Sequence, residues 1–309
     1  MTTSTIPATP RVPELRAVAE LLKPVTWFPP MWAFGCGAVS VGVAAGARGA
    51  SAAALALGVC VAGPLVCGAS QAVNDWFDRH VDAVNEPGRP IPSGRVPGMW
   101  GLGVAVAWSA LALAAGLLLG PAGGAATALA LLLAWAYSAP PARLKANGWW
   151  GNLAVGVCYE GVAWMTGALV AAGGALPGAR VFTLAALYSV GAHGIMTLND
   201  FKSVEGDRRF GVGSLPVRLG PERAAQVACL VMLVPQLTVV ALLAHWQARA
   251  AALVVTLLVV VQAGLMRRFV AAVAPRSALR YSAFGVPFYV LGMMAAAVGV
   301  RLLTAGRTT

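Results

Sequence analysis

Charged side chains are scarce in this sequence: 11% of its 309 residues, where a soluble globular protein carries about 25%. So few charges cannot cover a compact water-soluble domain of this length, which excludes an ordinary soluble enzyme and makes lipid the solvent for most of the chain. Carboxylates are scarcer than cations, 11 Asp+Glu against 22 Lys+Arg. The histidines, three in all, do not cluster, and the five cysteines (Cys36, Cys60, Cys67, Cys158, Cys229) fall in apolar stretches without a CxxC pair. A disulfide framework and a zinc site are thereby excluded, and there is no Ser/His/Asp or Cys/His set for nucleophilic catalysis. Residues 1–24 are polar, lack the basic-then-apolar order of a signal peptide, and read as a cytoplasmic lead-in.

What is abundant is apolar sequence, 59% of the chain. It divides into nine stretches of roughly 20 residues, at about 25–46, 51–73, 99–119, 121–138, 151–172, 180–198, 223–244, 248–266 and 281–303, each long enough to cross a bilayer as a helix. Continuous Ala, Leu, Val and Gly without inside/outside alternation predicts helices and not barrel strands. The expectation is an all-α membrane protein with a single nine-helix domain over 25–303 and a short tail over 304–309. The 36 glycines read as helix-packing positions, and Gly120-Pro121-Ala122-Gly123-Gly124 as a tight turn. Pro64, Pro235 and Pro287 are expected to kink their spans. With the N-terminus placed in the cytoplasm, seventeen cations, Arg11 among them, share its side and five, Arg48 and Arg307 among them, lie opposite. That asymmetry predicts a cytoplasmic N-terminus and explains the net charge of +11 without nucleic acid.

The few carboxylates are clustered. Asn74-Asp75-x-x-Asp78-x-x-x-Asp82 follows the second stretch, and Asn199-Asp200-x-x-Ser203-x-x-x-Asp207 follows the sixth, 125 residues later with the same spacing. On a helix Asp75, Asp78 and Asp82 fall within an arc of roughly 60°, and the second set does likewise, with Glu205 on the opposite side as a local salt-bridge partner. Three carboxylates on one face repel one another unless a cation lies between them. Mg²⁺ is commonly held by one or two carboxylates while phosphates and waters complete its shell, so two such faces fit Mg²⁺ around a diphosphate, with Asn74, Asp75, Asp78, Asp82, Asn199, Asp200 and Asp207 as candidate metal and catalytic residues. The loops on that side supply Arg79, Arg89, Arg95, Lys202, Arg208 and Arg209, and Tyr137-Ser138-Ala139-Pro140-Pro141-Ala142-Arg143-Leu144-Lys145 lies between the motifs. From these, Arg79, Arg89, Tyr137, Arg143, Lys145, Lys202 and Arg208 are the candidate diphosphate ligands.

Two ionisable residues lie inside spans. Glu160 falls near a mid-span, where such a group is costly and by default functional, as a substrate contact or as partner to a buried polar group. His193 stands about one and a half turns before Asn199, close to the candidate metal site, as a ligand contact or as a packed side chain. Trp76, Phe77 and Trp164 could face a flat ligand, whereas Trp27, Trp100, Trp149, Trp150 and Trp246 flank spans as an aromatic belt does.

The paired Asp motifs, the Tyr-Ser-x-Pro-Pro-x-Arg-Leu-Lys element and the nine spans resemble the UbiA-type intramembrane prenyltransferases over about residues 20–303. Thr26–Pro30, Asn74–Arg95 (NDWFDRHVDAVNEPGRPIPSGR), Cys158–Gly161 and Gly191–Arg208 (GAHGIMTLNDFKSVEGDR) are similar to the chlorophyll and bacteriochlorophyll synthase branch of that family. The resemblance implies a Mg²⁺-dependent transfer of a geranylgeranyl or phytyl group from its diphosphate to the propionate of bacteriochlorophyllide. It also implies nine helices around a central cavity, a site at the cytoplasmic side of the cell or intracytoplasmic photosynthetic membrane, Glu160 and His193 toward the tetrapyrrole, and product delivery to pigment-handling membrane proteins. Ser203 departs from a three-Asp second motif, which implies fewer metal ligands there. A chlorophyllide, quinone-precursor or haem acceptor keeps the same motifs, and a repeated motif in two halves is also how membrane transporters are built.

Overall fold

A computed structural model describes residues 12–42 and 51–305. Arg11, Arg48, Arg307 and the outer parts of the lead-in and tail lie outside the described residues. The regular structure of the described residues is all-helical apart from one isolated bridge between Asn147 and Gly213. Its helices are α1 (Leu15–Leu21), α2 (Phe28–Val41), α3 (Ala52–Asn85), α4 (Trp100–Leu117), α5 (Pro121–Ser138), α6 (Gly148–Ala171), α7 (Ala179–Asp200), α8 (Val204–Arg209), α9 (Leu215–Leu219), α10 (Pro221–His245), α11 (Arg249–Ala271), α12 (Pro275–Phe284) and α13 (Val286–Ala305).

Among the described residues eight helical stretches are long and apolar enough to cross a membrane: α3, α4, α5, α6, α7, α10, α11 and the α12–α13 pair. The first expected span, 25–46, runs as a short 3-10 turn and the 14-residue α2, which ends at Gly42; residues 43–46 lie outside the described residues. The second span does not stop near residue 73. Helical hydrogen bonding continues through the polar residues until Pro87 and Gly88 end it, so the first acidic motif rides on the last turns of α3 itself.

The second motif departs from its expected continuous helix. α7 ends at Asp200, residues 201–203 form a turn, and α8 carries Asp207. At the break the Ser203 hydroxyl has the Asp200 carbonyl (3.2 Å) and Asp207 Oδ2 (3.1 Å) as acceptors for its single proton, a local side-chain bond that competes with the backbone ladder. Among the prolines, Pro64 sits in a π-helical segment, Val61–Cys67, that absorbs its missing N–H, and Pro235 lies inside α10. The span formed by α12 and α13 is interrupted just before Pro287. The helix breaks at Gly285, and Pro287 occupies the first turn of α13, where no N–H is needed. The turn at Gly120 is as expected, with φ 91° there and Pro121 opening α5.

α2 and α6 make the closest helix contact. A Cβ on Gly37 would collide with the Trp164 carbonyl, and one on Gly167 with the Phe34 carbonyl, so two glycines let the backbones meet reciprocally. Trp164 then stacks on Tyr188 at 5.8 Å, and Tyr289 donates its hydroxyl to the Tyr188 carbonyl (2.5 Å), locking α6, α7 and α13. Trp164 is therefore sealed in the core and offers no face to a flat ligand. Leu132, Leu257, Val260 and Leu291 remain exposed on the outer helix faces, as side chains facing lipid do.

Candidate functional site

The two acidic motifs converge at one end of the bundle. α8 lies against the end of α3, where a Cβ on Gly206 would come within 2.8 Å of Asn85 Nδ2. Asp78 and Asp207 lie within electrostatic reach of each other, as do Asp200 and Asp207, and Tyr137, half-buried at the end of α5, is within reach of all three. The loop bearing Lys145 is pinned to the segment after α8, since Gly148 N–H donates to the Gly213 carbonyl (2.9 Å) and Gly213 N–H to that of Ala146 (3.0 Å).

Each carboxylate of the first motif is matched by a cation from a different part of the chain. Lys23 Nζ stands 2.6 Å from Asp75 Oδ1, and Lys145 Nζ 2.6 Å from Asp78 Oδ1. Arg89 reaches Asp82 at 2.8 Å and Asp75 at 3.5 Å while its other nitrogens bind Glu86 at 2.7 and 2.8 Å. Asn74 donates to Asp78 Oδ2 (3.2 Å) and lies 3.4 Å from the Ser138 hydroxyl. In the second motif Asn152, buried on α6, donates to Asp200 Oδ2 (3.0 Å) and to the Thr197 hydroxyl (3.2 Å).

The electrostatics follow from this pairing. The Arg89 hydrogen bonds hold the Glu86 carboxyl below its usual range, and Lys23 and Lys202 act in the same direction. Burial pushes the Asp207 carboxyl up against the opposing Ser203 hydrogen bond. It also pushes the Lys145 ammonium down, although Asp78 favours its charge. Asp75 Oδ2 is buried without a hydrogen-bond partner. Among the described residues no three acidic, histidine or cysteine side chains converge tightly enough to cage a metal ion.

Asp75, Asp78, Asp82, Asp200, Asp207, Asn74, Tyr137, Arg89 and Lys145 are thus gathered together. Arg143 adjoins Lys145 in a left-handed conformation (φ 35°), and exposed Lys202 acts on both Asp200 and Glu86. Three candidates stay outside the cluster. Arg79 lies over the Trp76 ring (4.1 Å) and donates to the Trp76 carbonyl, exposed Asn199 turns its amide to Met196 Sδ (3.8 Å), and Arg208 is exposed on α8. Glu205 is likewise exposed.

Lys23 and Asn152 are the site residues the sequence reading missed. Lys23 was visible only as one more cation of the basic face. It is aimed by α1, whose Ala17 and Leu21 are buried and whose Glu20 pairs with Arg95 (2.6 Å), and by a left-handed backbone (φ 47°) before Pro24. Asn152 carried a signal, a lone amide in an apolar span four residues after Gly148.

Deeper in the bundle, His193 is buried with neither ring nitrogen hydrogen-bonded, its ring 5.1 Å from that of Trp149. It communicates with the acidic end through its carbonyl, which accepts from Thr197, which in turn accepts from Asn152. Glu160 sits in a second π-helical segment, Val157–Val162, with Oε2 buried and unpartnered. Trp76 is covered by Arg79, and Phe77 packs edge-on against Trp135 at 6.2 Å.

The model of the UbiA prenyltransferase family matches residues 35–291, which include both acidic motifs. The chain belongs to the UbiA prenyltransferase family. Among its relatives is the bacteriochlorophyll synthase 33 kDa chain of Cereibacter sphaeroides, 54% identical over 290 residues that cover 94% of each chain. The protein of the same name from Rhodobacter capsulatus is 49% identical over 300 residues, 96% of this chain and 97% of that one. The solved structure of a UbiA homolog from Archaeoglobus fulgidus bound to DMAPP and Mg²⁺ superposes with a TM-score of 0.67 at 20% identity, over 93% of this chain and 99% of that one. At that identity the likeness shows the UbiA fold alone.

Proposed function

We propose that this chain is a bacteriochlorophyll synthase: it esterifies the propionate of bacteriochlorophyllide with a geranylgeranyl or phytyl group and releases diphosphate. The observation that carries the reading is the confrontation of two acidic motifs, interleaved with Lys23, Arg89 and Lys145, at one end of an apolar bundle whose relatives at 54% and 49% identity bear that name. The reading includes a ninth crossing over the first apolar stretch of the sequence, a cytoplasmic N-terminus, and a site facing the cytoplasm from the cell or intracytoplasmic membrane.

The donor set suits Mg²⁺. Asp75 Oδ2 is a hard oxygen left without a partner, and Mg²⁺ takes one or two carboxylates per ion while phosphate oxygens and waters complete its shell. Asp75, Asp78 and Asp82 with the Asn74 amide oxygen on one side, and Asp200 and Asp207 on the other, would hold it. The chemistry it supplies when bound is Lewis-acid stabilisation of the leaving diphosphate.

Lys145, Arg89 and Lys23 bind the diphosphate, and Tyr137 faces it from α5. As the C1–O bond of the donor breaks, its electron pair leaves with the diphosphate, whose growing charge those fixed cations stabilise. A propionate oxygen of the acceptor forms the new bond to C1. The propionate is ionised near neutral pH, so no general base is needed, in keeping with the absence of a nucleophilic triad. The surrounding helices exclude the water that would otherwise capture C1. His193, whose two ring nitrogens are buried without hydrogen-bond partners, and Glu160, whose Oε2 is likewise unpartnered, face the macrocycle. The test offers purified enzyme geranylgeranyl diphosphate together with bacteriochlorophyllide and 4-hydroxybenzoate. The pigment ester is expected, and a prenylated benzoate without it would overturn the assignment.

A further inference from the structure

Glu222 is the last acidic side chain in the sequence, yet Arg267, Arg268, Arg276 and Arg280 follow it on the membrane face that carries the acidic motifs. The face is fixed by contact: Phe201, next to Asp200, packs edge-on against Phe269 at 5.7 Å. Between the last turns of α11 and the short α12 runs a groove of about 390 Å³ with Arg268 and Arg280 among its walls. The rest of the lining is mostly apolar, Leu265, Phe269, Ala272, Tyr281 and Phe284, with one hydroxyl from Ser277. Neither arginine forms an ion pair with a carboxylate among the described residues, and both are exposed. Phe284 is also exposed, on the side of the groove away from the core.

We infer that this groove binds the headgroup and upper acyl chains of one anionic phospholipid. A phosphate between two guanidiniums is the complement of paired arginines lacking a carboxylate. The apolar walls distinguish a lipid from free phosphate, because an acyl chain covers Leu265 and Phe284 where an inorganic ion would leave them against water. The positive-inside rule accounts for arginines on this face but not for two of them in one apolar-walled groove. Phe269 is shared: it forms the groove wall, stacks on Tyr281 at 5.6 Å and touches Phe201 beside Asp200. An occupied groove therefore braces the end of α7 that carries the second motif. The inference does not depend on the identity of the acceptor.

The test is lipid binding by the full-length purified chain, delipidated and then titrated with phosphatidylglycerol or phosphatidylcholine, with bound lipid read by native mass spectrometry. Phosphatidylglycerol is expected to bind at one equivalent and phosphatidylcholine at least tenfold more weakly. Each arginine at an anionic surface contributes roughly fivefold, so R268Q/R280Q should bind phosphatidylglycerol roughly thirtyfold more weakly, and R268K/R280K should keep most of the affinity. R249Q, at the other membrane face, should bind as the parent does. Equal binding of the two lipids by the parent chain would overturn the inference and needs no variant. So would unchanged binding by R268Q/R280Q, or displacement of the lipid by inorganic diphosphate.

Discussion

Replacing Lys145 by methionine separates a structural from a chemical role for the cations in the acidic cluster. Lys145 Nζ and Asp78 Oδ1 are 2.6 Å apart, with side-chain exposures of 9% and 20%. Breaking a fully buried pair from one side costs about 3–5 kcal/mol, and the partial exposure of Asp78 puts the K145M loss of stability near the lower end, about 3 kcal/mol. Neutralising both partners in D78N/K145M should recover most of that loss, because no uncompensated charge remains. Turnover should behave differently. If Lys145 stabilises the departing diphosphate, K145M loses about 10²–10³ in kcat, and the double variant recovers none of it. Burial already holds the Lys145 ammonium below its ordinary value of 10.5. The protonated form is the active one, so kcat/KM for the donor should fall on an alkaline limb below that value, and K145R should abolish the limb. The assay is esterification by purified enzyme across pH, with thermal unfolding followed in parallel. Turnover within about threefold of the parent in K145M, or recovery of turnover in D78N/K145M, would refute the reasoning.

Three further outcomes are expected. Asn152→Leu, which removes the donor to Asp200 and Thr197, should lower kcat by roughly tenfold to a hundredfold and cost about 1–3 kcal/mol of stability, and a normal kcat would remove Asn152 from the site. Gly37→Ala should destabilise the chain by about 3 kcal/mol, the upper end for overpacking, because the new methyl meets the Trp164 carbonyl and not a movable side chain; a thermal midpoint equal to the parent's would contradict the α2–α6 contact. Chelation of divalent cations should abolish turnover, and Mg²⁺ should restore it better than Ca²⁺, whose larger, looser shell suits a diphosphate between carboxylates less well.

Much of this architecture was legible because lipid makes the sequence pattern simple. Apolar runs marked the spans, and the clustering of scarce carboxylates at Asp75–Asp82 and Asp200–Asp207 pointed to the two segments that converge at one end of the bundle. The boundaries were less legible, because a helix ends where its hydrogen bonds end and not where its hydropathy falls. That is why α3 carries the first motif to Asn85. Spacing alone likewise missed the break at Ser203, where a side-chain hydroxyl competes for the backbone. Lys23 could not be recognised before the fold, since its pairing with Asp75 spans 52 positions and depends on the burial of α1. Arg79 shows the opposite error: it lies inside the acidic motif in sequence, yet its guanidinium is drawn to the Trp76 face.

The most direct test of the central claim follows oxygen atoms. Bacteriochlorophyllide labelled with ¹⁸O at both propionate oxygens is supplied with unlabelled geranylgeranyl diphosphate, and the products are weighed. Attack of the carboxylate on C1 predicts a pigment ester that keeps both labels and a diphosphate that carries none. An ester that has lost one label to the diphosphate would contradict the account, and so would the absence of any pigment ester.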